Sequence, residues 1–173
     1  MTRDDFRNIE LLVLDVDGVL TDGRIVLDDT GREMKSFHVR DGMGIKLWHI
    51  SGRTTAIITA RNSEVVTRRA AELGIGHVFQ GCSDKKFVLS RLLEKLKLDV
   101  SRTAYIGDDL PDLAVMRTCG FPVAVADAAE EVKKAAKLVT SRPGGRGAVR
   151  EATEYILHEA GEYSRLLEKY YSE

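Results

Sequence analysis

The 173 residues carry a formal net charge of -1, with 43% hydrophobic and 31% charged side chains. That balance describes an ordinary globular chain, long enough for one domain with a substantial core, and it excludes a general polyanion binder, though not a local basic patch. Cys82 and Cys119 are too few for a disulfide framework and lack metal-finger spacing, and no apolar run approaches membrane-spanning length.

The leader "MTRDDFRNIE" has no apolar signal core, so a reducing, cytoplasmic setting is expected. Strands are then predicted at 11–16 (LLVLDV), 54–59 (TTAIIT), 77–79 (HVF), 103–107 (TAYIG), 122–126 (PVAVA) and 137–140 (KLVT). Helices are predicted near 42–50, 63–73, 84–97, 111–118, 128–136 and 147–159, with Gly74 and Gly120 at stops and Pro111 in a first turn. Apolar strands alternating with helices imply an α/β fold: a doubly wound, Rossmann-like parallel sheet with helices on both faces. One segment breaks the alternation. "GRIVLDDTGREMKSFHV" (23–39) reads as a β-hairpin around the turn "DDTG", leaving the carboxyl end of the first strand. The whole of 1–173 is expected to form a single domain. Within it the segment 141–173 ends in "GEYSRLLEKYYSE", which suits either a packed helix or a loosely ordered tail.

In such sheets the site lies at the carboxyl ends of the strands. The first strand ends in Asp15 and Asp17, the second in Thr59 followed by Arg61, and the fourth in "GDDLPD", which carries Asp108, Asp109 and Asp112; Lys85 opens the helix after the third. Packing does not account for carboxylates, a hydroxyl and a lysine gathered at one edge. Two acids one residue apart repel each other, and alternation puts Asp15 and Asp17 on one side of an extended segment with Val16 opposite. Oxygen ligands of this kind suit a hard cation, and magnesium is commonly held by one or two carboxylates plus a substrate phosphate. Asp15 is then the candidate nucleophile, forming an aspartyl phosphate, and Asp17 the candidate acid and base. Thr59 and the backbone N–H groups of Gly18 and Val19 are candidate phosphoryl contacts, with Lys85 balancing charge. Two other readings stay open: a phosphate-accepting receiver domain, and a non-catalytic regulatory module. Asp17 beside Asp15 favours hydrolysis over phosphate storage.

"DVDGVLTDG", "IITAR", the Lys85 of "GCSDKK" and "YIGDDLPD" together resemble the four motifs of haloacid dehalogenase superfamily phosphotransferases, in order, over about Leu11 to Glu151. More narrowly, "KSFHVRDGMGI", "FQGCSDK", "VAVADA" and "GGRGAVRE" are similar to 3-deoxy-D-manno-octulosonate 8-phosphate phosphatases, which serve bacterial lipopolysaccharide sugar synthesis. The resemblance implies Asp15 as nucleophile and Asp17 as acid/base. It implies Mg2+ held by the Asp15 carboxylate, the Asp17 backbone carbonyl and Asp108, with Asp109 and Asp112 as supporting acids. Phosphate contacts would fall on Gly18, Thr59, Ala60 and Lys85, with Ala60 standing where the motif usually has glycine. Sugar-acid contacts would fall on His38, Val39, Arg40, Asp41, Gly42, Lys46, Arg61 and Arg69. His38 stands where asparagine is common and Lys46 where arginine is frequent, while Arg61 favours the eight-carbon substrate over a nine-carbon ulosonate 9-phosphate. The spacings leave room for no separate cap domain. The resemblance implies instead a homotetramer in which a neighbour's hairpin and C-terminal segment cover each site. The glycines of "RPGGRGAVRE" suit a simple loop leading into a helix, or an approach of Arg146 or Arg150 to a neighbouring site.

Overall fold

A computed structural model describes residues 1–171. A short helix α1 (Arg3–Arg7) precedes strand β1 (Leu11–Leu14), and the hairpin β2 (Val26–Leu27) and β3 (Glu33–Met34) follows. Then come α2 (Val39–Ile50), β4 (Thr54–Ile58), α3 (Glu64–Leu73), β5 (His77–Phe79), α4 (Lys85–Leu96) and β6 (Thr103–Gly107). The chain continues through α5 (Leu113–Met116), β7 (Phe121–Ala124), α6 (Glu130–Ala135), β8 (Leu138–Val139), α7 (Ala148–Glu159) and α8 (Tyr163–Tyr171).

Six strands form one sheet in the order β5-β4-β1-β6-β7-β8, every pairing parallel. The chain steps outward from β1 through β4 to β5, returns to β6 on β1's other side, and steps outward again. The reversal lies between β1 and β6, the position at which sheets of this kind open a crevice. All four residues of β1 are buried, because layers of helix cover both faces and strands flank both edges. Each fully buried aliphatic side chain there contributes roughly 1.5–3 kcal/mol relative to exposure. No separate cap domain is present among the described residues; the two-stranded hairpin β2–β3 takes that place in the chain.

The helices start where their caps require. Ser63 Oγ accepts from the Val66 N–H at the start of α3, and Asp84 Oδ1 accepts from the Phe87 N–H (2.9 Å) at the start of α4. Expected strands and helices all occur, most ending a residue or two early. The segment after α7 resolves one open alternative: α8 is a helix with Leu166 buried, and only residues 172–173 of the expected C-terminal segment lie outside the described residues. The turn before it is tied down by Arg53, whose guanidinium donates to Glu162 (2.6 and 3.1 Å) and to the Ile9 carbonyl (2.8 Å).

Candidate active site

β1 stops at Leu14, so Asp15 stands just past the strand, its N–H donating to the Ile106 carbonyl of β6 (3.1 Å). Residues 16–21 then turn tightly, with the N–H groups of Val19, Leu20 and Thr21 all donating to the Val16 carbonyl. This turn corrects the extended geometry expected for 15–17: Asp15 and Asp17 take different partners. Lys85, the first residue of α4, places its ammonium 2.8 Å from Asp15 Oδ2 and 2.7 Å from Asp112 Oδ1. Asp112 is 1% exposed and accepts from four donors: Lys85, the Tyr105 hydroxyl (2.6 Å) and the N–H groups of Asp108 (2.9 Å) and Asp109 (3.3 Å). It is the hub that shapes the loop after β6. Asp109 is exposed and caps the same turn, accepting from the Leu110 N–H at 2.8 Å.

Three carboxylates, those of Asp15, Asp108 and Asp112, bring oxygens within 4.8 Å of one another. A single ammonium faces them, so the group is short of positive charge. Burial, reinforced by Asp112 against the opposing pull of Lys85, raises the Asp15 carboxyl from 3.8 to about 6. Burial, with repulsion from Asp15, Asp112 and Asp109, raises Asp108 to about 7. For Lys85 burial acts against its charge, but Asp15 and Asp112 outweigh it and its pKa is raised. Asp15 Oδ1 is buried with no hydrogen-bond partner. An unsatisfied carboxylate oxygen beside a second carboxylate is the donor set a hard divalent cation fits.

Asp17 sits in a separate, balanced group. Lys35, from the residue after β3, forms an ion pair with Asp17 and stands 3.1 Å from Glu33 Oε1. Arg61 lies 3.8 Å from Asp17 and 3.6 Å from Glu33, and Glu33 also accepts from the Ser63 hydroxyl. Gly18 follows with φ +88, and a Cβ there would overlap Asp108 Oδ2; only glycine lets this backbone lie against the carboxylate. Thr59 is buried at the end of β4, its N–H donating to the Phe79 carbonyl and its own carbonyl accepting from the Cys82 N–H (both 3.0 Å), with Ala60 exposed beyond it.

A family profile for haloacid dehalogenase-like hydrolases matches residues 51–150. The chain is 49% identical over 154 residues to 3-deoxy-D-manno-octulosonate 8-phosphate phosphatase KdsC of Escherichia coli strain K12, covering 89% of this chain and 82% of that one. The crystal structure of the Moraxella catarrhalis phosphatase of the same name, in complex with magnesium, phosphate and KDO, matches with a TM-score of 0.94 and 42% identity over 97% of both chains. The cobalt-bound Haemophilus influenzae phosphatase matches at 0.89 with 42% identity, over 92% of this chain and 94% of that one. This chain belongs to the 3-deoxy-D-manno-octulosonate 8-phosphate phosphatase family of haloacid dehalogenase-like hydrolases.

In this phosphatase the remaining expected residues gather elsewhere. His38 caps α2, its Nδ1 accepting from the Arg40 N–H (3.3 Å), and Val39 is 78% exposed. Arg40, Gly42, Lys46 and Arg69 line a cleft along α2 and α3 whose lining includes none of Asp15, Asp17 or Lys85. Arg69 is 2.7 Å from Glu72 and lies over the Phe37 ring. Asp41 is buried and accepts from the N–H groups of Gly147 (3.1 Å) and Arg150 (2.8 Å), at the start of α7. The loop before α7 in turn lies on the 16–22 turn, the Gly145 N–H donating to the Val19 carbonyl (2.9 Å). A Cβ on Gly144 would overlap the Gly18 carbonyl, which is why glycine stands there. Sequence reasoning missed Lys35, Glu33 and Tyr105. Glu33 and Lys35 stand two apart with Met34 between them, on one side of an extended segment and of opposite charge, which is a readable sign of a polar contact. Tyr105 in a buried strand requires a hydroxyl partner, and Asp112 supplies it.

Proposed function

We propose that this phosphatase hydrolyses 3-deoxy-D-manno-octulosonate 8-phosphate to the free sugar acid and phosphate, using magnesium and a covalent aspartyl phosphate. The observation that carries the reading is Asp15: buried at the sheet's reversal point, one oxygen held by Lys85 and the other unpartnered beside Asp108. Asp15 attacks phosphorus and the bond from phosphorus to the sugar oxygen breaks. Asp17 gives its proton to that leaving oxygen, then takes one from the water that attacks the aspartyl phosphate. Lys85 balances the charge building on the phosphoryl group, which Thr59, Ala60 and the backbone N–H of Gly18 hold in place; the Val19 N–H is already engaged by the Val16 carbonyl. The Asp15 and Asp108 carboxylates and the Asp17 carbonyl would hold magnesium, which when bound neutralises the charge shared by these acids and the phosphate. Asp109 and Asp112 shape the loop that presents Asp108.

The substrate assignment draws on the relatives' activity and on Arg61, which is half exposed and makes only long contacts, 3.8 Å to Asp17 and 3.6 Å to Glu33. Val39, Arg40, Gly42, Lys46 and Arg69 line a cleft that includes none of Asp15, Asp17 or Asp108, and His38 precedes them at the N-cap of α2. That supports a homotetramer in which they serve a neighbour's site, with Asp41 holding the start of α7 beside them. The hairpin's exposed Ile25, Leu27 and Met34 are suited to burial in such an assembly. The chain then works as one domain, residues 1–173. Among the described residues no helix is long and apolar enough to cross a membrane, and two unpaired cysteines suit the cytoplasm.

The test is phosphate release across eight- and nine-carbon ulosonate phosphates and simple sugar phosphates, with and without magnesium. The eight-carbon substrate is expected to turn over fastest, only with magnesium, and not in Asp15→Asn. Faster turnover of a nine-carbon substrate would overturn the substrate assignment, and turnover by Asp15→Asn would overturn the mechanism.

A further inference from the structure

The geometry points to Lys35 as a positioning residue for Asp17: delivered by the chain's own hairpin, it holds the acid/base carboxylate in its working orientation. This rests on the reading of Asp17 given above. The Lys35 side chain is 1% exposed, although it comes from an exposed hairpin. It spans two carboxylates, donating to Asp17 Oδ1 on one side and lying 3.1 Å from Glu33 Oε1 on the other. Glu33 is itself anchored, because the Ser63 hydroxyl that donates to it belongs to the N-cap of α3. The line from Asp17 through Lys35 and Glu33 to Ser63 therefore ties the acid/base to the body of the domain.

Arg61 touches the same two carboxylates but differs in every respect that matters. Its side chain is 46% exposed and its contacts are long, 3.8 Å to Asp17 and 3.6 Å to Glu33. A longer, exposed guanidinium can turn toward a substrate. Lys35, enclosed on all sides, has no surface to offer one. What it can do is restrict Asp17, and a catalytic group displaced by about 1 Å can cost on the order of a hundredfold in rate. The arrangement also couples the hairpin to chemistry within one chain, since movement of β3 would carry Lys35 away from Asp17.

Phosphate release by Lys35→Met, Lys35→Arg, Asp17→Asn and the double variant tests this. Lys35→Met is expected to lower kcat on the sugar-acid phosphate about 10- to 100-fold, a share of what a positioned acid supplies, with KM changed less than about twofold. The loss should be smaller on p-nitrophenyl phosphate, whose leaving group needs little proton donation. Lys35→Arg should recover part of it, and Lys35→Met should add nothing in the Asp17→Asn background. Glu33→Gln, which leaves the lysine in place, should move kcat in the same direction by a smaller factor. Wild-type kcat in Lys35→Met, a rise in KM alone, or losses that multiply in the double variant would each overturn the inference. Full activity in Asp17→Asn would instead overturn the role of Asp17 itself.

Discussion

Asp108 Oδ2 occupies the space that a side chain at residue 18 would need. The turn after β1 and the loop after β6 are therefore fitted to each other through a missing Cβ, at a residue whose φ of +88 also disfavours any side chain. Gly18→Ala should cost roughly 1–2 kcal/mol from backbone conformation and push Asp108 off its position as well. Thermal melts and magnesium titration read the two effects separately. A variant with wild-type magnesium affinity would show that Asp108 is not held by this contact.

Asp15→Asn and Asp17→Asn should separate by step. Removing the nucleophile abolishes the covalent intermediate. Removing the acid/base leaves the fold intact and lowers turnover by about 10²–10⁴-fold. Acid-quench trapping of phosphorylated protein, with phosphate release measured beside it, distinguishes them. Undiminished release in either variant would contradict its assigned role.

Burial holds Asp15 at about 6 and Asp108 at about 7, against 3.8 for a free carboxyl. Without metal, the folded chain keeps protons in that window that the unfolded chain has already released. These two acids thus stabilise the metal-free fold at low pH, and their contribution is lost as pH rises through those values. Magnesium requires both acids ionised, so its thermal shift should grow from about pH 5.5 to about pH 8. At a hundredfold excess over Kd the stabilisation is about 2.7 kcal/mol. A shift independent of pH would count against these two acids as ligands.

Asp41 caps α7 from more than a hundred residues away, through the N–H groups of Gly147 and Arg150. Asp41→Ala leaves both buried donors without a partner and should cost about 1–2 kcal/mol in urea unfolding, with Asp41→Asn recovering part. Because the loop it fixes rests on the 16–22 turn, kcat should fall along with stability. A change confined to KM would mean that Asp41 meets substrate instead.

The hairpin's Ile25, Leu27 and Met34 are all more than half exposed in the isolated chain. Leu27→Asp should dissociate the proposed tetramer, seen by light scattering, and raise KM without unfolding the monomer. A tetramer that survives this charge would place the interface elsewhere.

The sheet was legible because buried parallel strands read as unbroken apolar runs, as in β1, and because the acids at their ends match no packing need. The convergence of Asp15, Lys85 and Asp108 at one edge was therefore legible in the sequence. α1 was not, since five residues with only Phe6 buried give no period. The stretch 15–17 reads as extended in the sequence, because the Val16 carbonyl collects three N–H groups in a way no alternation reports. Asp41 and Lys35 depend on partners that only the fold brings near: a helix start near residue 147, and a carboxylate 18 residues back along the chain.

The central place of β1 has a consequence for how the molecule breathes. Strands β5 and β8 form the sheet's borders, and β8 contributes only two residues, so local opening begins there. The segment carrying Asp15, bonded to β6 at the centre of the sheet, should be among the last to exchange its amide protons. Fluctuation at the periphery thus leaves the reacting carboxylate in register.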